Sequence, residues 1–508
     1  MKSRNAALVA ALVATMTVVS PASPVAVAAS GNLIVDGDGE AASCSDSGYD
    51  GMTIPGWTVT AGSPNVVCFT NRQGFPNASV SGARPGKGYF TGGPWGNSSM
   101  TQTVDVAAAA SAIDAGSTMF NLSGWLGGWS SQNDRAGMTA TFLSATGASL
   151  GTSTVGPVTA TDRLSGTKFL QRSSTGSVPS GTRSIKVVVD FTNTAGQTTD
   201  GYADDLSLTL SANVTPKALI PPASTVPGFD HVFFMMFENR DPSEIIGSNN
   251  APYLNGLRSQ GALLNNYYAL THVSDPNYIA VWGGSVFGRR TNPYEVDGIA
   301  GIDAPHLGTR ADSAGKTWKN YALGANGNCD LVDHNPYYWN DVPAPYFLDV
   351  QPTWQQQTQR CKDHMQPLSR METDLQSAAT TPNLVWFAPD ICSMMHDCAV
   401  RSGDDWAKAF FPKIFTSPAW TQQRSLLIVT FDEDGNGKGM PGGFGSGDNN
   451  KNKVTTLVLG SPGTVKAGFT SNTRYTHYSS TRTMEQALGL GTLTGNDKYA
   501  DTFNDIFP

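Results

Sequence analysis

The chain has 508 residues, more than one ordinary hydrophobic core accommodates, so two domains are expected. Its 33 Lys and Arg stand against 41 Asp and Glu, a net charge of −8 with no basic cluster. That excludes nucleic acid or an anionic membrane surface held by bulk positive charge, and any bound phosphate needs a local cation.

Residues 1–28 read as a cleaved signal peptide: Lys2 and Arg4, an apolar run over 6–19, then the small residues Ala26, Val27 and Ala28. No other run is long and apolar enough to span a bilayer, so a secreted protein with no transmembrane segment is expected. Export makes the six cysteines disulfide candidates. Cys44 and Cys68 stand alone in the first half and are expected to pair. Cys329, Cys361, Cys392 and Cys398 allow three connectivities; closeness in sequence favours 329–361 and 392–398.

Residues 31–211 consist of short alternating stretches separated by Gly, Ser and Asn, the texture of an antiparallel β-sandwich. None of the seven histidines lies there, so acid–base chemistry is expected elsewhere and the sandwich is expected to be an accessory. Its opening LIVDGDGE (33–40), with Gly56 and Trp57, and its closing GYADDLSL (201–208) resemble the two ends of a galactose-binding-like jelly roll. That resemblance implies adjacent first and last strands, a structural calcium on Asp38, Glu40 and Asp205, and a candidate carbohydrate-binding module. Solvated turn carboxylates are an equal reading of the same acids. Trp57, Trp95, Trp125 and Trp129 suit a sugar platform or a core.

A Pro/Ser/Ala-rich linker over 212–227 leads into residues 228–508, where apolar runs alternate with helical stretches, the grammar of an α/β fold with a mostly parallel central sheet. The run HVFFMMF (231–237) reads as a strand buried on both faces and ends in Glu238 and Asn239. SLLIVTF (425–431) repeats the pattern and ends in Asp432, Glu433 and Asp434. Ligand sites of open α/β sheets lie beyond the C-terminal strand ends, so neighbouring strands would make an oxygen-rich metal site there. Carboxylates and an amide without Cys or clustered His favour one calcium, magnesium or manganese ion over zinc.

The motifs FENR (237–240), APY (251–253), THVSDPNY (271–278), MHD (395–397), TFDE (430–433) and THY (476–478) occur in this order across residues 228–508. Together they resemble a phosphoesterase family of acid phosphatases and phospholipases C within the alkaline phosphatase superfamily. The texture is closest to secreted acid phosphatases that include phosphatidylinositol 3-phosphatases. The resemblance implies an alkaline phosphatase-like fold and a metal-dependent phosphomonoesterase, with a phosphoinositide among the candidate substrates. Ser274 would be nucleophile and metal ligand beside Glu238, Asn239, Asp432 and Glu433, and Asn277 would hold a phosphate oxygen. His477, slightly ahead of His396, would bind phosphate or protonate the leaving oxygen, with Asp397 orienting His396 and His272 structural or substrate-binding. Whether Glu433 or Asp434 meets the metal is open. A phospholipase C and an inactive glycan-binding protein are the alternatives.

Overall fold

The computed structural model describes residues 30–71, 74–84, 86–94, 96–196, 198–289, 292, 301–353, 357–435 and 452–508. The expected signal peptide and Trp95 lie outside the described residues.

The N-terminal part packs two five-stranded antiparallel sheets face to face. One runs Thr58–Ala61, Ser98–Asp105, Ser184–Thr192, Arg135–Leu143, Ser149–Val155; the other runs Asn65–Cys68, Gly88–Pro94, Thr198–Leu210, Met119–Gly128, Lys168–Ser177. Strict alternation builds the core: in Arg135–Leu143 the residues Ala136, Met138, Ala140 and Phe142 turn inward and their neighbours outward. Residues 30–33 lie against the last strand, with the N–H groups of Ser30 and Leu33 donating to the Leu210 and Leu208 carbonyls.

Each acid expected to hold calcium has a protein partner. Asp205 Oδ2 pairs with Arg84 Nε at 2.6 Å. Glu40 Oε1 accepts the Lys87 and Gly88 N–H groups, and Asp38 accepts the Glu40 N–H. Burial strands other acids: Asp36, whose Oδ2 has no partner among the described residues, and Asp204, pushed up to about 8. The tryptophans form no common platform. Trp57 is core and donates its indole N–H to Asp36 O, and Trp125 lies under the Arg84 guanidinium. Trp129 lines an open pocket of about 320 Å³ with Tyr49, Phe75, Gln132 and Asp200, and Trp57 borders a separate, larger one of about 1060 Å³.

Residues 212–230 carry no helix or strand. Beyond them stands an eight-stranded mixed sheet in the order Met365–Pro367, Trp318–Ala322, Leu384–Ala388, His231–Phe237, Ser425–Phe431, Leu457–Gly460, Ala262–Leu264, Phe469–Ser471. All pairings are parallel except the two made by Leu457–Gly460. Every residue of His231–Phe237 and Ser425–Phe431 is buried, which is why both read as unbroken apolar runs. Helices cover the sheet, among them Ser274–Gly283, Val400–Phe415 and His477–Leu488. The disulfides are Cys44–Cys68, Cys329–Cys361 and Cys392–Cys398, the favoured set.

Candidate active site

Register brings the acids together. The two central strands pair in parallel from His231 with Ser425 to Phe237 with Phe431, so Glu238 and Asp432 leave the sheet side by side at its C-terminal edge. The junction is locked by two bonds: Asp432 N–H donates to Phe237 O and Asn239 N–H donates to Asp432 Oδ1, both at 3.0 Å. Asn239 holds a left-handed φ of 52°, a conformation asparagine tolerates better than most residues.

Ser274 was expected in a loop; it is the first residue of the fully buried helix Ser274–Gly283. Pro276 sits in the first turn, where no intrahelical N–H is needed and proline is tolerated. The helix start presents its positive dipole end to the crevice, a placement that favours a bound anion. Ser274 Oγ lies 3.5 Å from Glu238 Oε2 and 3.5 Å from Glu433 Oε1. Such contacts are long for hydrogen bonds; oxygens ligating one cation at about 2.0–2.6 Å stand roughly 3–3.5 Å apart.

The acids are held from behind. Tyr278 donates its hydroxyl to Glu238 Oε1 at 2.7 Å, and His272 Nδ1 meets Glu433 Oε2 at 2.6 Å. Asp434 instead engages Asn452, donating its N–H to the amide oxygen and accepting the Asn452 N–H, so Glu433 is the acid that faces Ser274. Burial first, then the neighbouring carboxylates, pushes the Glu238, Asp432 and Glu433 carboxyls well above their usual range. No Lys or Arg among the described residues pairs with them; Arg240, the nearest in sequence, bonds Glu244 and the carbonyls of Met395 and Cys398. Asn239 Oδ1 and Asp432 Oδ2 are buried without a hydrogen-bond partner among the described residues. Among the described residues no three His, Cys, Asp or Glu side chains form a metal cluster by themselves. The donor set that suits a hard divalent cation is the mixed one, in which the Asn239 and Ser274 oxygens join the acids.

Two residues expected at the substrate have their polar atoms bonded within the protein. Asn277 is fully buried: Oδ1 accepts the Leu270 and Thr271 N–H groups, and Nδ2 donates to the Thr271 and Val273 carbonyls. It shapes the turn before Ser274 and has no atom left for phosphate. His477 is also fully buried, with Nδ1 bonded to Tyr267 OH and Nε2 to Asp432 O. Burial pushes it down to about 4, so it stays neutral and holds the Asp432 backbone. His396 is the exposed histidine at the rim, with Nε2 3.8 Å from Glu238 Oε2 and Nδ1 2.7 Å from Asp397 Oδ1. Tyr278, missed in the sequence, is the tyrosine of the THVSDPNY motif; its spacing four residues after Ser274 on a helix was the available signal.

A helix N-terminus that favours an anion, set beside a cluster of buried acids, suits the hydrolysis of an anionic ester. The comparisons agree: residues 245–491 match the model of the phosphoesterase family. The chain is 31% identical over 287 residues to the phosphatidylinositol-3-phosphatase of Mycobacterium tuberculosis, an alignment covering 56% of this chain and 85% of that protein. It is 28% identical over 305 residues to an acid phosphatase of Aspergillus fumigatus, covering 56% of this chain but 61% of that protein, so it spans less than two thirds of that fungal relative. A solved structure of an alkaline phosphatase superfamily protein from Vibrio parahaemolyticus aligns with TM-score 0.39 at 12% identity, over 55% of this chain and 71% of that one. The chain belongs to the phosphoesterase family, and its class of reaction is phosphoric ester hydrolysis.

Proposed function

We propose that the protein is a secreted, metal-dependent acid phosphatase that hydrolyses phosphomonoesters through a phosphoserine on Ser274. The observation that carries this reading is Ser274 Oγ at a helix N-terminus, 3.5 Å from both Glu238 and Glu433, beside Asn239 and Asp432 oxygens that have no hydrogen-bond partner among the described residues. Glu238, Asn239, Ser274, Asp432 and Glu433 would hold one divalent cation, which when bound neutralises phosphate oxygens and acidifies the Ser274 hydroxyl. Ser274 Oγ attacks phosphorus as the ester oxygen departs, and its proton has carboxylate oxygens 3.5 Å away. His396, oriented by Asp397, donates a proton to the leaving oxygen; water then displaces Ser274 and restores the hydroxyl. Three disulfides support an oxidising compartment. The name of the mycobacterial relative makes a 3-phosphorylated phosphoinositide the candidate natural substrate. The Trp129 pocket is the candidate place on the sandwich for a glycan.

The test compares p-nitrophenyl phosphate with p-nitrophenyl phosphorylcholine, with and without chelator. The reading expects the monoester to be preferred, chelation to stop turnover and divalent ion to restore it. A preferred diester would make the protein a phospholipase C, and full activity in chelator would remove the metal.

A further inference from the structure

We propose that the β-sandwich is part of the catalytic apparatus, because its loop at residues 45–51 buttresses the turn that carries Ser274. The contact is backbone on backbone. Gly51 N–H donates to Leu270 O at 3.1 Å, and a Cβ on Gly51 would lie 2.9 Å from Leu270 Cα. Leu270 opens the turn whose N–H groups and carbonyls are gathered by Asn277, and Ser274 follows four residues later.

The sandwich side of this contact is built to be stiff. Asp50 is buried and its two carboxylate oxygens accept the Ser45 and Ser47 hydroxyls at 2.6 and 2.7 Å. Ser45 is bonded through its backbone to Val66 and Cys68, the Asn65 amide donates to Asp50 O, and the Cys44–Cys68 disulfide closes the loop base. On the catalytic side Leu270 packs in a small cluster with Ala280, Val286, Tyr478 and Ala500, which joins the helix of Ser274 to that of His477. Further contacts fix the domains together: Arg474 Nη2 donates to Gly62 O, and Gly495 packs on Ala42. A nucleophile must be held to a fraction of an ångström, and backbone against backbone leaves no side chain to absorb a shift. Residues 45–51 are therefore positioning residues acting through Leu270. The inference rests on the reading of Ser274 as the nucleophile, and it revises the expectation that the sandwich is an accessory.

The experiment uses the full chain and p-nitrophenyl phosphate, with kcat, KM and melting temperature measured together. Gly51→Val should lower kcat about tenfold or more with KM changed by less than about twofold. The double variant Ser45→Ala/Ser47→Ala adds no atoms, removes the two hydroxyls that bond the Asp50 carboxylate, and should lower kcat several-fold, which covers the case in which Gly51→Val does not fold. Asn504→Ala, which cuts bonds to the linker at Ala223 and Thr225, should leave kcat unchanged. A purely structural role predicts lower melting temperatures with wild-type kcat per folded molecule, and that result overturns the proposal. Ser274→Ala separates the two claims: retained activity there removes the nucleophile, and an unimpaired folded Gly51 or serine variant removes the coupling.

Discussion

Residue by residue, the site is decided by which hydrogen bonds are already made. Tyr278 points its hydroxyl at Glu238 and does nothing else in the site, so Tyr278→Phe isolates that bond. We expect a 10–100-fold loss in divalent-ion affinity or in kcat, read by titrating metal into chelated protein, because groups behind metal ligands act at that scale. An unchanged titration would mean Glu238 is not a ligand. Asn277→Ala should instead destabilise the fold by about 1–3 kcal/mol, measured by urea unfolding, since it leaves buried backbone groups unpaired. The residue types of the site were legible in the sequence; several of their roles were not. Asn277 and His477 carry the right chemistry at motif positions, and only three-dimensional bonding shows that every polar atom of both is occupied. The Arg84 partner of Asp205 was equally out of reach of the sequence, because it lies 121 residues away.

Elements were easier to read where burial alone dictates them. Ser425–Phe431 was legible to the residue because a strand buried on both faces must be apolar throughout. The helix Ser274–Gly283 was not: it is buried all round, so it shows no amphipathic period, and Pro276 reads as a loop signal. The short loop between Cys392 and Cys398 depends on the element scale for its function. Its disulfide and the Arg240 bonds to Met395 O and Cys398 O hold His396 at the rim, with Met395 at a φ of 76°. If His396 protonates the leaving oxygen, Cys392→Ser/Cys398→Ser should slow an alkyl phosphate far more than p-nitrophenyl phosphate, whose leaving group needs little help. Equal slowing of both substrates would assign the loop a structural role only.

Across the whole molecule, buried carboxyls tune stability towards acid. Glu485 is fully buried; burial and then Asp497 push it up to about 10 from 4.5. Between those values the folded chain holds a proton that the unfolded chain has released, so stability falls as pH rises through that window. The urea midpoint should therefore drop between about pH 5 and pH 9, and Glu485→Gln should flatten the drop. A variant with the wild-type slope would place the dependence elsewhere, for example on Asp200, which burial raises to about 6. The two-domain plan was legible from texture. The bond from Gly51 to Leu270, which makes the plan one working unit, joins residues 219 positions apart and left no sequence signal.

The account turns on Ser274. Acid quenching during steady turnover of a phosphomonoester, followed by peptide mass mapping, should trap phosphate on Ser274, and Ser274→Ala should lose nearly all activity while keeping its fold and disulfides. Phosphate on another residue, or a folded Ser274→Ala within a few-fold of wild type, would contradict the account and make water or a different side chain the nucleophile.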